Sequence, residues 1–197
     1  MRTLLMAAAA SALLTAPALA QDAAPAAETP SAPAAAAAYT EAQLKSFAGA
    51  MDKIREISAG VQNGQPTAEQ QTAMAAAVEQ SGLEVATYNA IATAVSQDKV
   101  LAARVAVAGA APSPAGTIGA EATEAELTSF AAAYDEVRTL SQQIQNGQPT
   151  AEQQAAMAAA VEKSGLAVDR FNAIAGALPN DASLRARVQL ADAQRGA

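Results

Sequence analysis

Residues 40 to 108 recur at 123 to 191, aligned without a gap at an offset of 83, and the two copies are identical at 43 of 69 positions. A chain that repeats a unit of this length folds it twice, so each unit takes the same local structure and only the joint between them is left unspecified. Outside the copies the chain changes character. Residues 21 to 38 are almost entirely Ala, Pro, Ser and acidic residues, with no large apolar side chain to bury; this predicts a disordered or extended spacer. Residues 109 to 122 have similar content and predict a linker. The division expected is a signal peptide at 1–20, a spacer at 21–38, one repeat at 39–108, a linker at 109–122, a second repeat at 123–191 and a tail at 192–197.

Within each copy the pattern is helical throughout. Thr40 or Thr123, followed three residues later by Gln43 or Glu126, makes a capping box. Leu44, Phe47, Met51, Ile54 and Val61 then recur at helical spacing and lay one apolar stripe along the first helix. Asn63-Gly64 and Asn146-Gly147 are expected to stop it, because both residue types tolerate the left-handed conformation. Thr67 with Gln70 starts a second helix, from Ala68 to about Gln80, and Ser81-Gly82-Leu83 ends it. A third helix runs from about Val85 through Tyr88, Ile91 and Val95, and Asp98 or Asp181 caps a fourth. Strand alternation is absent, so the fold class is all-α, with two tandem repeats of about four short helices packed as a helical bundle.

The differences between copies indicate burial. Met51, Ile54, Ile57, Val61, Tyr88 and Val95 become Tyr134, Val137, Leu140, Ile144, Phe171 and Leu178, apolar for apolar, and are expected inside. Ala86, Thr87 and Ala102 become Asp169, Arg170 and Arg185 and are expected in solvent. Alanine fills 59 positions and the larger apolar residues only 42, so each copy has a thin core. Small units bury a small fraction of their surface, and the copies are therefore expected to pack on each other, or on another chain, through their first helices.

Composition also excludes most chemistry. Cysteine, histidine and tryptophan are all missing, which removes thiol nucleophiles, disulfides, imidazole bases and every common transition-metal ligand set except carboxylates. Alternating oxygen ligands around a central glycine, as a calcium loop needs, do not occur. Asp52 and Glu56 lie four apart, but the second copy has Asp135 and Thr139 there. No catalytic, cofactor-binding or metal-binding residue is therefore assigned, and the chain is expected to be no enzyme. Arg2 before an apolar stretch to Leu14, then Ala18-Leu19-Ala20, reads as a secretory signal peptide cleaved after Ala20. The product is expected in a bacterial periplasm or the medium, with no stable membrane anchor. Without Arg2 the chain has 11 basic and 19 acidic residues, a net charge of −8, so neither nucleic acid nor an anionic membrane surface is an expected partner.

The densest agreement between copies runs from Gln62 to Leu83, identical to 145 to 166 at 20 of 22 positions. Asn, Gly, Pro and Thr there have turn and cap roles. Gln65, Glu69 and Gln71, with Gln148, Glu152 and Gln154, have no evident fold requirement beyond helix propensity or a first-turn charge, and form the candidate interaction surface. Asn89 and Asn172 are expected to tie a neighbouring helix end or loop carbonyl. Asp98 and Asp181 are expected as N-caps, with Arg104 and Arg187 serving another helix's C-terminus or a carboxylate.

Several of these residues also carry a resemblance. Phe-Ala-x-Ala at 47 to 50, Gly82-Leu83, Tyr88-Asn89-Ala90-Ile91-Ala92 and Asp98 with Leu101 and Arg104 resemble a family of exported bacterial helical domains, known as the domain of unknown function numbered four-one-six-eight. Phe130, Gly165-Leu166, Phe171-Asn172-Ala173-Ile174-Ala175, Asp181, Leu184 and Arg187 match in the second copy. The resemblance implies an exported helical module, here as a tandem pair, and no substrate. The expected function is a non-catalytic interaction or structural protein of the cell envelope whose partner is a protein, either itself or another envelope component. The alternative is a small periplasmic holdase, suggested by the Pro-Thr-Ala-Glu-Gln helix start.

Overall fold

A computed structural model describes residues 38–61, 65–144 and 147–197. The signal peptide, the spacer up to residue 37, Asn63-Gly64 and Asn146 lie outside the described residues. The first repeat comprises α1 (Glu41–Ala59), α2 (Ala68–Gln80), α3 (Val85–Gln97) and α4 (Lys99–Gly109). After α5 (Ile118–Glu121), the second comprises α6 (Glu124–Gln142), α7 (Ala151–Lys163), α8 (Val168–Ala177), a 3-10 turn at Leu178–Asn180 and α9 (Ala182–Arg195). Among the described residues there is no strand. The fold is all-α, as the pattern requires.

Local chemistry sets the helix starts. Thr40, Thr67, Thr123 and Thr150 each accept a hydrogen bond from the backbone N–H three residues on, and the Gln or Glu at that position reaches back to the cap. Both orphan donors are thus satisfied reciprocally. Asp98 Oδ1 accepts from the N–H groups of Val100 and Leu101, and Asp181 accepts from Leu184. At the ends of α2 and α7, Gly82 and Gly165 take φ of +77° and +79°, the left-handed conformation that glycine adopts without a Cβ clash. The first helices stop earlier than expected. α1 ends at Ala59 and α6 at Gln142, ahead of Asn63-Gly64 and Asn146-Gly147. Gln70 Nε2 donates to the Gly60 carbonyl and Gln153 Nε2 to the Gln143 carbonyl, so the second helix of each repeat satisfies the end of the first.

Each repeat has its own small core. Leu44, Phe47, Ile91 and Leu101 are buried in the first, and Leu127, Phe130, Ile174 and Leu184, their equivalents at the repeat offset, in the second. Phe47 packs on Tyr88 with ring centroids 4.9 Å apart, and Phe130 on Phe171 at 4.8 Å, the tilted geometry that aromatic pairs favour. α1 packs on α4 and α2, and α6 on α9 and α7.

The joint between the repeats differs from expectation. They meet through their last helices, α4 against α9, and not through the first. α1 and α6 turn their apolar stripes into their own cores, leaving little for a neighbour. Ala102 and Ala106 of α4 and Ala182 and Ala186 of α9 line the groove beside this joint, and small side chains let two helices approach closely. The linker also differs. Residues 110 to 122 hold α5, capped by Thr117, with Ile118 packed against the second core and Ser113 donating to Asp181 at 2.9 Å. They form a strap on the second repeat, and residues 192 to 195 belong to α9, so the expected tail is helical up to Arg195.

Candidate functional site

Two grooves flank the α4–α9 seam. The first, about 550 Å³, is walled by Phe47, Met51 and Arg55 of α1 and Val105 of α4, and closed by Arg185 and Gln189 of α9. The second, about 480 Å³, is walled by Tyr134, Asp135 and Arg138 of α6 and by Leu178, Val188 and Asp192. Arg185 and Gln189 border both. The positions correspond at the repeat offset: Met51 to Tyr134, Asp52 to Asp135, Arg55 to Arg138, Val95 to Leu178 and Val105 to Val188. The duplication has therefore made one groove twice, on either side of a shared helical seam.

Their rims carry charge of both signs. Arg55 Nη1 donates to Asp52 at 2.8 Å. In the second groove Arg195 lies 3.1 Å from Asp192 and 3.4 Å from Asp135. Burial, and then the neighbouring Asp135 carboxylate, push the Asp192 carboxyl above the ordinary carboxylate range. Tyr134 was expected in the core with Met51, but it is 41% exposed and stacks on Phe130 at 5.4 Å. The ring lines the second groove and presents an aromatic face there. Such a rim can hold a polypeptide segment by apolar contact with a few charge-assisted hydrogen bonds.

The six residues of the candidate interaction surface are all exposed: Gln65, Glu69 and Gln71 ahead of and along α2, and Gln148, Glu152 and Gln154 at α7. Two of them have a structural role that their sequence context did not reveal. Gln71 Nε2 donates to the Pro66 carbonyl at 3.3 Å, and Gln154 Nε2 to the Pro149 carbonyl at 3.4 Å. Their agreement between copies is explained by a turn. Glu69 and Glu152 are first-turn carboxylates, placed to favour the helix dipole.

Other expectations change too. Asn89 and Asn172 are exposed, not enclosed in an apolar face, since α3 turns Ile91 and the half-buried Tyr88 inward, and α8 buries Phe171 and Ile174. Arg104 and Arg187 do meet a carboxylate. Arg187 Nε donates to Glu124 at 2.9 Å, and its Nη1 and Nη2 donate to the carbonyls of Gly119 and Ala122 at 2.8 and 2.6 Å. Arg104 Nε donates to Glu41 and its Nη2 to the Tyr39 carbonyl, both at 3.2 Å. Arg187 thus meets both a carboxylate at the start of α6 and the carbonyls at the C-terminal end of α5, and Arg104 ties α4 to the start of α1. Arg170, expected in solvent, is three-quarters buried and donates to Glu126 at 2.8 and 3.1 Å. That pair holds the Glu126 carboxyl down at about 2, chiefly through the guanidinium hydrogen bond and then the Thr123 N–H.

Among the described residues no cluster of carboxylates is placed to hold a metal ion, and no helix is long and apolar enough to cross a membrane. No curated protein and no solved structure matches the chain. The model of one family, described as Domain of unknown function (DUF4168), matches twice, over residues 65–105 and 145–188. Those stretches run from the turn before the second helix into the last helix of each repeat, and include Tyr88, Asp98 and Arg104 with their equivalents. The chain is thus similar to that domain twice over, once in each of its tandem repeats.

Proposed function

We propose that the protein is an exported, non-catalytic interaction protein of the bacterial cell envelope, and that it grips a segment of a partner protein in the paired grooves beside the α4–α9 seam. The observation that carries this reading is the correspondence of the two grooves, each with an Asp and an Arg of the first helix at its rim and both bordered by Arg185. Two equivalent sites on one chain raise avidity without new contacts. The Gln65, Glu69 and Gln71 surface and its copy form a second, weaker candidate. Export rests on the signal-peptide pattern before Gln21, and the spacer gives reach.

Photo-cross-linkers placed at Tyr134 and at Met51, used in intact cells, test the reading. One captured partner at both positions, lost from both in Arg185→Glu, supports it. Capture at neither position, or capture unaffected by Arg185→Glu, overturns it. The apolar walls of the first groove, Phe47, Met51, Val95 and Val105, favour one alternative, a holdase that covers unfolded chains. Suppression of client aggregation at stoichiometric ratio would support that alternative, and its absence would remove it.

A further inference from the structure

The two grooves share their place in the repeat but not their chemistry. In the first, α4 contributes Ala102, Ala106 and Gly109 to the wall; at the repeat offset, α9 contributes Arg185, Gln189 and Asp192 to the second. On the facing wall Met51 gives way to the exposed ring of Tyr134. Each of the four changes adds a hydrogen-bonding group to the second groove.

A fifth difference acts from outside the wall. In the first groove Arg55 closes on Asp52 of its own helix at 2.8 Å, so the two charges answer each other. α6 keeps the same pair of residues, Asp135 and Arg138, but Arg195 at the end of α9 takes Asp135 at 3.4 Å and Asp192 at 3.1 Å. Pro112 stands at the equivalent position ahead of the second repeat. Arg138 therefore makes no ion pair among the described residues and lines the groove exposed, although its charge still reaches Asp192. Arg185, also exposed, directs one N–H to the Pro179 carbonyl at 3.4 Å. Two guanidinium groups with unused donors thus border an aromatic face and the apolar side chains of Leu178 and Val188, on a chain whose net charge without Arg2 is −8.

We propose that the second groove reads an acidic residue of the partner segment: its carboxylate bonds to Arg138 and Arg185, and a large apolar or aromatic residue beside it lies against Tyr134, Leu178 and Val188. This rests on the reading that the grooves hold a segment of a partner protein, and adds what that segment must contain. A carboxylate matches the planar fork of a guanidinium. The nearby carboxylates of Asp135 and Asp192 repel a doubly charged phosphate more than a singly charged group. Arg195 is a positioning residue, since it occupies Asp135 and leaves Arg138 to the ligand.

Three end-capped synthetic peptides test this, identical except for a central Phe-Glu, Phe-Gln or Phe-Lys. Each is titrated into the chain from Gln21 and followed by NMR at the Tyr134 ring and the arginine Nε–H groups. The Glu peptide should shift the signals of Tyr134, Arg138 and Arg185 and bind roughly fivefold more tightly than the Gln peptide, as two exposed charge pairs allow. Replacing both arginines, by Arg138→Gln with Arg185→Gln, should abolish that preference. Arg195→Ala should reduce it and move the Arg138 Nε–H signal of the free protein, because Asp135 returns to Arg138. Equal binding of the Glu and Gln peptides at Tyr134 overturns the proposal while leaving the groove a peptide site. Preference for the Lys peptide overturns it by assigning the groove to Asp135 and Asp192. A Glu preference that survives the double replacement overturns the assignment to Arg138 and Arg185. Shifts from none of the peptides overturn it as well, whereas the paired-groove reading falls only with the capture experiment in cells.

Discussion

Two coordinated differences between the copies, Gln43 to Glu126 and Thr87 to Arg170, turn a neutral capping box into a charged clamp. Glu126 accepts from Thr123 as a cap and from Arg170 on another helix. Its folded pKa, about 2, lies below the ordinary 4.5. The clamp's contribution to stability is therefore complete above about pH 4.5 and is lost as pH falls toward about 2. Arg170→Ala should return the Glu126 carboxyl toward its ordinary range, visible by carbon NMR titration, and should lessen the stability lost across that acid window. An unchanged Glu126 titration would contradict the clamp. Asp192 acts in the opposite sense, because its raised pKa favours the protonated form and ionisation sets it against Asp135. The signal for the clamp was present in the sequence, as a Glu and an Arg introduced together in one copy, but their separation of 44 residues hides the contact until α6 and α8 are packed.

At the scale of elements, the helices were legible and the connections were not. Thr67 and Thr150, with Gln70 and Gln153, define the second helix in both copies because capping is decided within four residues. The strap reads as a linker in the sequence because Ala, Pro and Ser carry no apolar periodicity. Its order comes from contacts far along the chain, Ser113 and Gly119 against Asp181. Gly119→Ala places a methyl on both the Asp181 carboxylate and the Ser113 hydroxyl, an overpacking that costs about 1–3 kcal/mol. Thermal unfolding should show that loss together with faster exchange across residues 113 to 122. A variant with wild-type stability would mean that the strap is not held there. The interaction surface proposed around Gln71 and Gln154 was partly a turn for a similar reason: a glutamine bonding back to a carbonyl five residues away leaves no periodic trace.

For the whole molecule, the joint decides the behaviour. The repeats keep separate cores and share the seam of α4 and α9, so each depends on the other for cover of its last helix. The chain cut between Ala110 and Ala111 and separated should give two halves, each unfolding at a lower temperature than the intact protein, with mixing restoring part of the loss. Halves as stable as the parent would show that the seam contributes nothing. The first groove takes its closed form from this seam, since Arg185 and Gln189 of the second repeat border it, whereas the second groove is lined by the second repeat alone.

The sequence by itself determined that the chain is helical, that the unit is made twice, where most helices begin, and that Leu44 and Phe47 lie on the apolar stripe of the first helix. All of these rest on interactions within a few residues or on apolar spacing along one helix. The tertiary structure alone decided that the last helices join the repeats, that the linker is a strap, and that Tyr134 and Arg185 face a groove. Those depend on which of two small-residue faces has a neighbour, and alanine stripes of equal spacing do not say which one will meet.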